Sequence, residues 1–190
     1  MVASRYPVDP SLQAPLTVEK YHRMIDACIL GDEDRVELLE GVLVETSPQV
    51  PRHAKIISRF TAASVPALGP AYRVRIQLPL TLAPYGEPDV AIVTLEEENA
   101  AERHPRTALL VVEVPSESIR KDRLVKTRVY ARAGIAEYWI VNVDASTVEI
   151  HADPDPIAER YRIQIVAQRG ETIAPRSLPA LALSVEALLA

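Results

Sequence analysis

The stretch between residues 87 and 114 constrains the fold most. It holds two apolar runs rich in β-branched residues, Pro88-Asp89-Val90-Ala91-Ile92-Val93 and Ala108-Leu109-Leu110-Val111-Val112-Glu113-Val114. Nearly continuous apolar strands are expected where a sheet is covered on both faces, which calls for helices on each side. Yet each run carries one carboxylate, Asp89 in the first and Glu113 in the second. Desolvating an unpaired charge costs several kcal/mol or more, so an acid in such a strand needs a reason. Two of them, each near a turn-forming proline, suggest a pair that shares a cation. Hard divalent ions are held in this way, by one or two carboxylates plus waters and substrate phosphates.

The chain has 190 residues, enough for one domain with a substantial core. Its apolar fraction of 48% argues against disorder. No run approaches the roughly 18 apolar residues that span a bilayer, and Met1 to Pro7 lack the apolar core of a signal peptide. A cytoplasmic protein is the simplest expectation. Cys28 is the only cysteine, which excludes an internal disulfide and a Cys₄ zinc site. The net charge of −5 counts against a polyanion binder, since such proteins usually carry a basic stripe. Arg120, Lys121, Arg123, Lys126, Arg128 and Arg132 gather on one expected helix. They are either a basic surface beside the site or a solvated helix face.

Patterning predicts a mixed α/β domain over residues 17–190 behind an extended, Pro- and Ser-rich arm at 1–16. Helices are expected over Thr17–Leu30, with Thr17 as N-cap, and over Arg52–Leu68 and Ser118–Ala133, the last closed by Gly134. Val36 to Leu39 and Val42 to Glu45 flank Glu40-Gly41 and read as a tight hairpin. Further strands are expected over 72–78, 88–93, 108–114, 137–143, 147–151 and 161–167, and a short amphipathic piece over 185–189. No repeat or low-complexity tract divides the chain.

Asp122, Lys126 and Tyr130 follow Glu113 at intervals of four, so they share a helical face that could reach the carboxylate pair. An ammonium there could stabilise an attacking hydroxide or charge developing on phosphorus. The bland account, favoured on spacing alone, is an i,i+4 ion pair between Asp122 and Lys126.

Several pieces together resemble one family. Glu87-Pro88-Asp89, Val112-Glu113-Val114, Ser116, Asp122, Lys126, Tyr130 and the run from Ala133 to Val141 are similar to the Uma-two family of candidate endonucleases, within the restriction-endonuclease-like PD-(D/E)XK superfamily. The hairpin over Val36–Val44, Ser47-Pro48 with His53 on the next helix, and Leu178-Pro179-Ala180-Leu181 fit as well. The resemblance implies a restriction-endonuclease-like fold, a mixed central sheet flanked by helices. It implies Asp89 and Glu113 as ligands of Mg²⁺ or Mn²⁺, DNA as substrate and a homodimer as the assembly. One element departs from the pattern: two residues after Glu113 stands Pro115 rather than lysine. Lys126 on the next helix is the natural substitute, with Lys121 as fallback.

Glu37 matches the acid of the family's hairpin and could hold a metal-bound water, though alternation also suits a solvent-facing residue. Glu40, in the turn, is expected to be solvated. His53 could contact phosphate or support the metal site; a histidine at a helix start is more often structural. Tyr138 and Trp139 are expected to pack in a core and Glu137 to be structural, while His104 and His151 lack partners at ligand spacing. Ser116 and Ser118 have no glycine-flanked elbow, so Ser118 reads as an N-cap and not a nucleophile. The expectation is a metal-dependent endonuclease acting through Asp89, Glu113, Lys126, Glu37 and His53. The alternatives are a catalytically weak or inactive nuclease-fold module that binds nucleic acid or a protein, and a hydrolase of smaller phosphoesters.

Overall fold

The structure, a computed structural model, describes residues 14–45, 50–82, 86–100, 104–115 and 119–190. Most of the expected N-terminal arm, Ser47-Pro48, and Ser116 and Ser118 lie outside these residues.

Six strands form one mixed sheet in the order β3-β4-β5-β6-β7-β8: β3 (Tyr72–Ile76), β4 (Val90–Thr94), β5 (Leu110–Glu113), β6 (Glu137–Asn142), β7 (Thr147–Asp155) and β8 (Arg160–Gln168). Only β5 and β6 pair in parallel, and the connection between them carries a helix, as a parallel pair requires. Asp89 falls inside the strand expected over 88–93 but lies one residue before the observed β4, and Glu113 ends β5.

Both faces of the sheet are covered. On one, Val90, Ile92, Leu110, Val112, Trp139 and Val141 pack under α2 (Pro51–Leu68) and the C-terminal segment. On the other, Ala91, Val93, Val111, Tyr138 and Ile140 pack under α5 (Thr127–Arg132), which contributes Val129 and Tyr130. Alternation therefore sends successive residues of the central strands β4, β5 and β6 into one core or the other, which explains the continuous apolar runs. Tyr138 and Trp139 are both completely buried, one in each core.

The remaining elements surround the sheet. In α1 (Val18–Asp26) the Thr17 hydroxyl accepts from the Lys20 N–H, the expected N-cap. The hairpin β1 (Val36–Leu39) and β2 (Val42–Glu45) turns at Glu40-Gly41, with φ of 48° and 79°. Positive φ at both turn residues matches a two-residue hairpin, and a Cβ on Gly41 would overlap Pro15. The acidic stretch forms the short α3 (Leu95–Asn99). The tail adds the strand pair β9 (Thr172–Ile173) and β10 (Leu183–Ser184), then α6 (Val185–Leu189), against the first core. Among the described residues, no helix is long and apolar enough to cross a membrane.

Candidate active site

Strand order places the two acids together. β4 and β5 are antiparallel with Val90 opposite Val112, so the start of β4 meets the end of β5. Asp89 sits at that start, where Pro88 restricts the entering backbone. Its Oδ2 accepts the Val114 N–H at 2.8 Å, fastening the carboxylate to the chain just past Glu113. Its Oδ1 lies 3.0 Å from His53 Nε2, so His53, expected either to support the site or to be structural, reaches it from α2. Burial pushes Asp89 up, but the His53 contact, the Val114 N–H and Lys126 outweigh it and hold the acid below the usual carboxylate range.

Glu113 is almost fully buried, at 3% exposure. Its Oε1 receives the Tyr130 O–H at 2.7 Å and the Lys126 ammonium at 2.8 Å. Burial, with the charges of Asp89 and Asp122 adding to it, pushes Glu113 up to about 8 against the pull of Lys126. Lys126 is also buried, and Asp122 Oδ1 at 3.7 Å and Glu37 Oε2 at 3.8 Å complete its surroundings. Burial works against its charge, yet the Glu113, Glu37 and Asp122 carboxylates outweigh it and hold the ammonium above its ordinary value. The Asp122–Lys126 pair expected from spacing exists, but within a larger cluster. Asp122 is itself pushed up, chiefly by burial.

The helix that supplies Lys126 is not regular. After α4 (Ile119–Lys121) comes a π turn over Asp122–Lys126, then α5. The Thr127 N–H donates to the Asp122 carbonyl five residues back. That carbonyl also accepts the Thr127 hydroxyl at 2.9 Å and the Tyr138 hydroxyl, from β6, at 3.3 Å. An isolated π turn inside an α-helix is rare and is often found at functional sites. Here its first and last residues, Asp122 and Lys126, are both buried in the cluster.

Glu37, on β1, is buried rather than solvent-facing. It accepts from Lys121 Nζ at 2.5 Å and lies 3.8 Å from Lys126 Nζ, so both candidate lysines meet at this carboxylate. Lys126 is the one beside Glu113. Glu40 pairs with Arg128 and Arg132 instead of standing free in solvent. Glu137 is structural as expected, accepting from the Trp139 indole and the Arg176 backbone N–H. His104 lies 3.4 Å from Arg75, and His151 stacks on Tyr138.

The five residues expected at a site thus occupy one network, in two linked parts: Asp89 with His53, and Glu113 with Lys126 and Glu37. Asp122, Lys121 and Tyr130 join it. Their spacing from Lys126 was the available signal for Asp122 and Tyr130; the π turn left none. The donor set, the carboxylate oxygens of Asp89 and Glu113, is of the hard type that Mg²⁺ takes together with water. It does not form a protein cage: among the described residues no group of three or more His, Cys, Asp or Glu is arranged to hold a metal ion.

No curated protein matches the chain. Among solved structures it is similar to a crystal structure described as "a putative nuclease belonging to DUF820" from Anabaena variabilis ATCC 29413, with a TM-score of 0.75. Identity is 19%, over 92% of this chain and 98% of that one, so the likeness concerns the fold. The mixed sheet with flanking helices is the restriction-endonuclease-like architecture. The Uma2 family model, "Putative restriction endonuclease", matches residues 18–186. The chain belongs to the Uma2 family.

Proposed function

We propose that this protein acts on DNA at the Asp89–Glu113–Lys126 cluster and, with Mg²⁺ or Mn²⁺, hydrolyses phosphodiester bonds as an endonuclease. The observation that carries the reading is an ammonium and carboxylates buried together at adjacent strand ends, where a purely structural core would bury apolar groups. Asp89 and Glu113 would hold the cation, whose chemistry is to polarise a phosphoryl oxygen and acidify water. Lys126 supplies fixed positive charge beside Glu113, where a developing negative charge needs it. The Tyr130 hydroxyl and the Val114 N–H orient the two carboxylates, and His53 holds Asp89 from the opposite helical layer. A homodimer belongs to the same proposal, on the family resemblance and the general prevalence of symmetric dimers; light scattering tests it.

A second reading, a catalytically weak or inactive nuclease-fold module that binds nucleic acid or a protein, is better matched by the ion pairing as it stands. Glu113 Oε1 is already taken by Lys126 and Tyr130, and no three-ligand group occurs among the described residues. Incubation with supercoiled plasmid and Mg²⁺ or Mn²⁺ separates the two. Nicking by the parent that is lost in both Asp89→Asn and Glu113→Gln supports the endonuclease. Nicking that survives both removes the site, and binding without nicking selects the module.

A further inference from the structure

The helix read as either a basic surface or a solvated face has most of its cations in ion pairs. Lys121 pairs with Glu37, Arg123 with Glu149, Lys126 with Glu113, and Arg128 and Arg132 with Glu40 and Glu159. A protein of net charge −5 must then meet a polyanion elsewhere.

The first half of α2 is the place. This 18-residue helix contains Arg52, Lys55 and Arg59 and no acidic residue. Positions i, i+3 and i+7 put the three cations on one strip, beside the buried stripe of His53, Ile57 and Phe60. They line a groove of about 410 Å³ between α2 and the C-terminal residues Leu189 and Ala190, and no acidic side chain lines it. Among the described residues Lys55 has no ion pair. Arg52 donates to the Val143 carbonyl at 3.1 Å and lies 3.5 Å from the fully exposed Asp144. Arg59 donates to the Leu188 carbonyl at 3.5 Å. A guanidinium has five N–H donors, so both arginines keep donors for another ligand.

The groove also lies at the right end of the sheet. Glu113 is opposite Ile140 in the parallel β5–β6 pair, and Val143, which anchors Arg52, follows three residues further along the same direction. Arg52 directly precedes His53, which touches Asp89. From Arg52 to Arg59 the helix rises about 10 Å, or about three nucleotide steps of one DNA strand at about 3.4 Å each.

We infer that the Arg52–Lys55–Arg59 groove receives the phosphate backbone of duplex DNA and leads it to the Asp89–Glu113 cluster. This rests on the reading that the protein acts on DNA and adds the surface that holds it.

The test is anisotropy of a fluorescein-labelled duplex titrated with the full chain over a range of salt, without divalent cation. Lys55→Glu/Arg59→Glu should weaken binding by about tenfold or more and reduce the slope of log K against log salt by about 2, one per lost phosphate contact. Lys55→Gln, which removes a charge without opposing anything in the fold, should reduce the slope by about 1. Arg160→Glu, at the opposite end of the sheet, should leave binding unchanged. Parent-like binding by the double variant or by Lys55→Gln overturns the groove while the DNA reading stands. Weakening by Arg160→Glu equal to that of the single Arg59→Glu, which changes net charge by the same amount, also overturns it, because net charge alone would then explain the loss. Failure of the parent to bind duplex removes the DNA reading and the groove with it.

Discussion

Lys126 Nζ lies 2.8 Å from Glu113 Oε1, and the lysine comes from a helix, not from the strand that carries the acid. Pro115 occupies the strand-side position two residues after Glu113, so the ammonium reaches the carboxylate by another route. Both partners are almost completely buried. Removing one partner of a buried pair leaves an uncompensated charge, which costs about 3–5 kcal/mol. Lys126→Met should therefore destabilise strongly, since Glu113 and Asp122 lose their ion-pair partner and Glu37 keeps Lys121 alone. Urea unfolding of Lys126→Met, Glu113→Gln and the double variant checks this, and the double should lose less than the sum of the singles. Additive losses would mean that the pair is not coupled.

The π turn depends on the Asp122 carbonyl, which accepts the Thr127 N–H, the Thr127 hydroxyl and the Tyr138 hydroxyl. Tyr138→Phe and Thr127→Val each remove one of the side-chain donors, and each should cost about 1 kcal/mol in stability. Because the same turn sets the direction of Lys126, any plasmid nicking should fall in both variants while duplex binding holds. Unchanged nicking in both would show that the turn does not position the lysine.

The layers and the paired acids were legible because periodicity is a local signal. The runs at 88–93 and 108–114 read directly as strands covered on both faces, and Glu40-Gly41 as a tight turn. Strand neighbours were not legible, since pairing joins residues far apart in sequence. That is why His53 could be read either as a helix-start residue or as part of the site until α2 was seen to bring it to Asp89. Glu37 was open between the site and solvent for the same reason: alternation gives two faces but not what covers them. Sequence left the basic helix open between a basic surface and a solvated face because Glu40, Glu149 and Glu159, which pair with its arginines, lie on other elements.

Asp89 has a structural and an electrostatic role, and two substitutions separate them. Asp89→Asn keeps an oxygen for the Val114 N–H but removes the charge that faces His53. Asp89→Ala removes both and leaves a largely buried N–H unpaired, at a cost of about 1–3 kcal/mol. Thermal melts should rank the parent and Asp89→Asn above Asp89→Ala. Stabilisation by Mg²⁺ or Mn²⁺, read as a rise in Tm, should be absent from both variants. A metal-dependent rise that persists in Asp89→Asn would take Asp89 out of the cation site.

His151 gives the protein a pH dependence away from the cluster. Its ring is buried, stacked on Tyr138 at 5.6 Å and tilted against Tyr161 at 5.9 Å. Neither ring nitrogen has a hydrogen-bond partner among the described residues. Burial lowers its pKa; Glu149 pulls it up and Arg123 pushes it further down, and the net shift is downward. The unfolded chain, with an ordinary histidine near pH 6.5, therefore binds this proton more readily than the folded one. The His151 contribution to stability should therefore fall as pH drops through the range below about 6.5 and recover above it. Urea titrations at pH 7.5 and 5.5 should show a smaller acid loss in His151→Phe than in the parent. Equal losses would mean that the imidazole finds a proton acceptor in the folded state and is not held neutral.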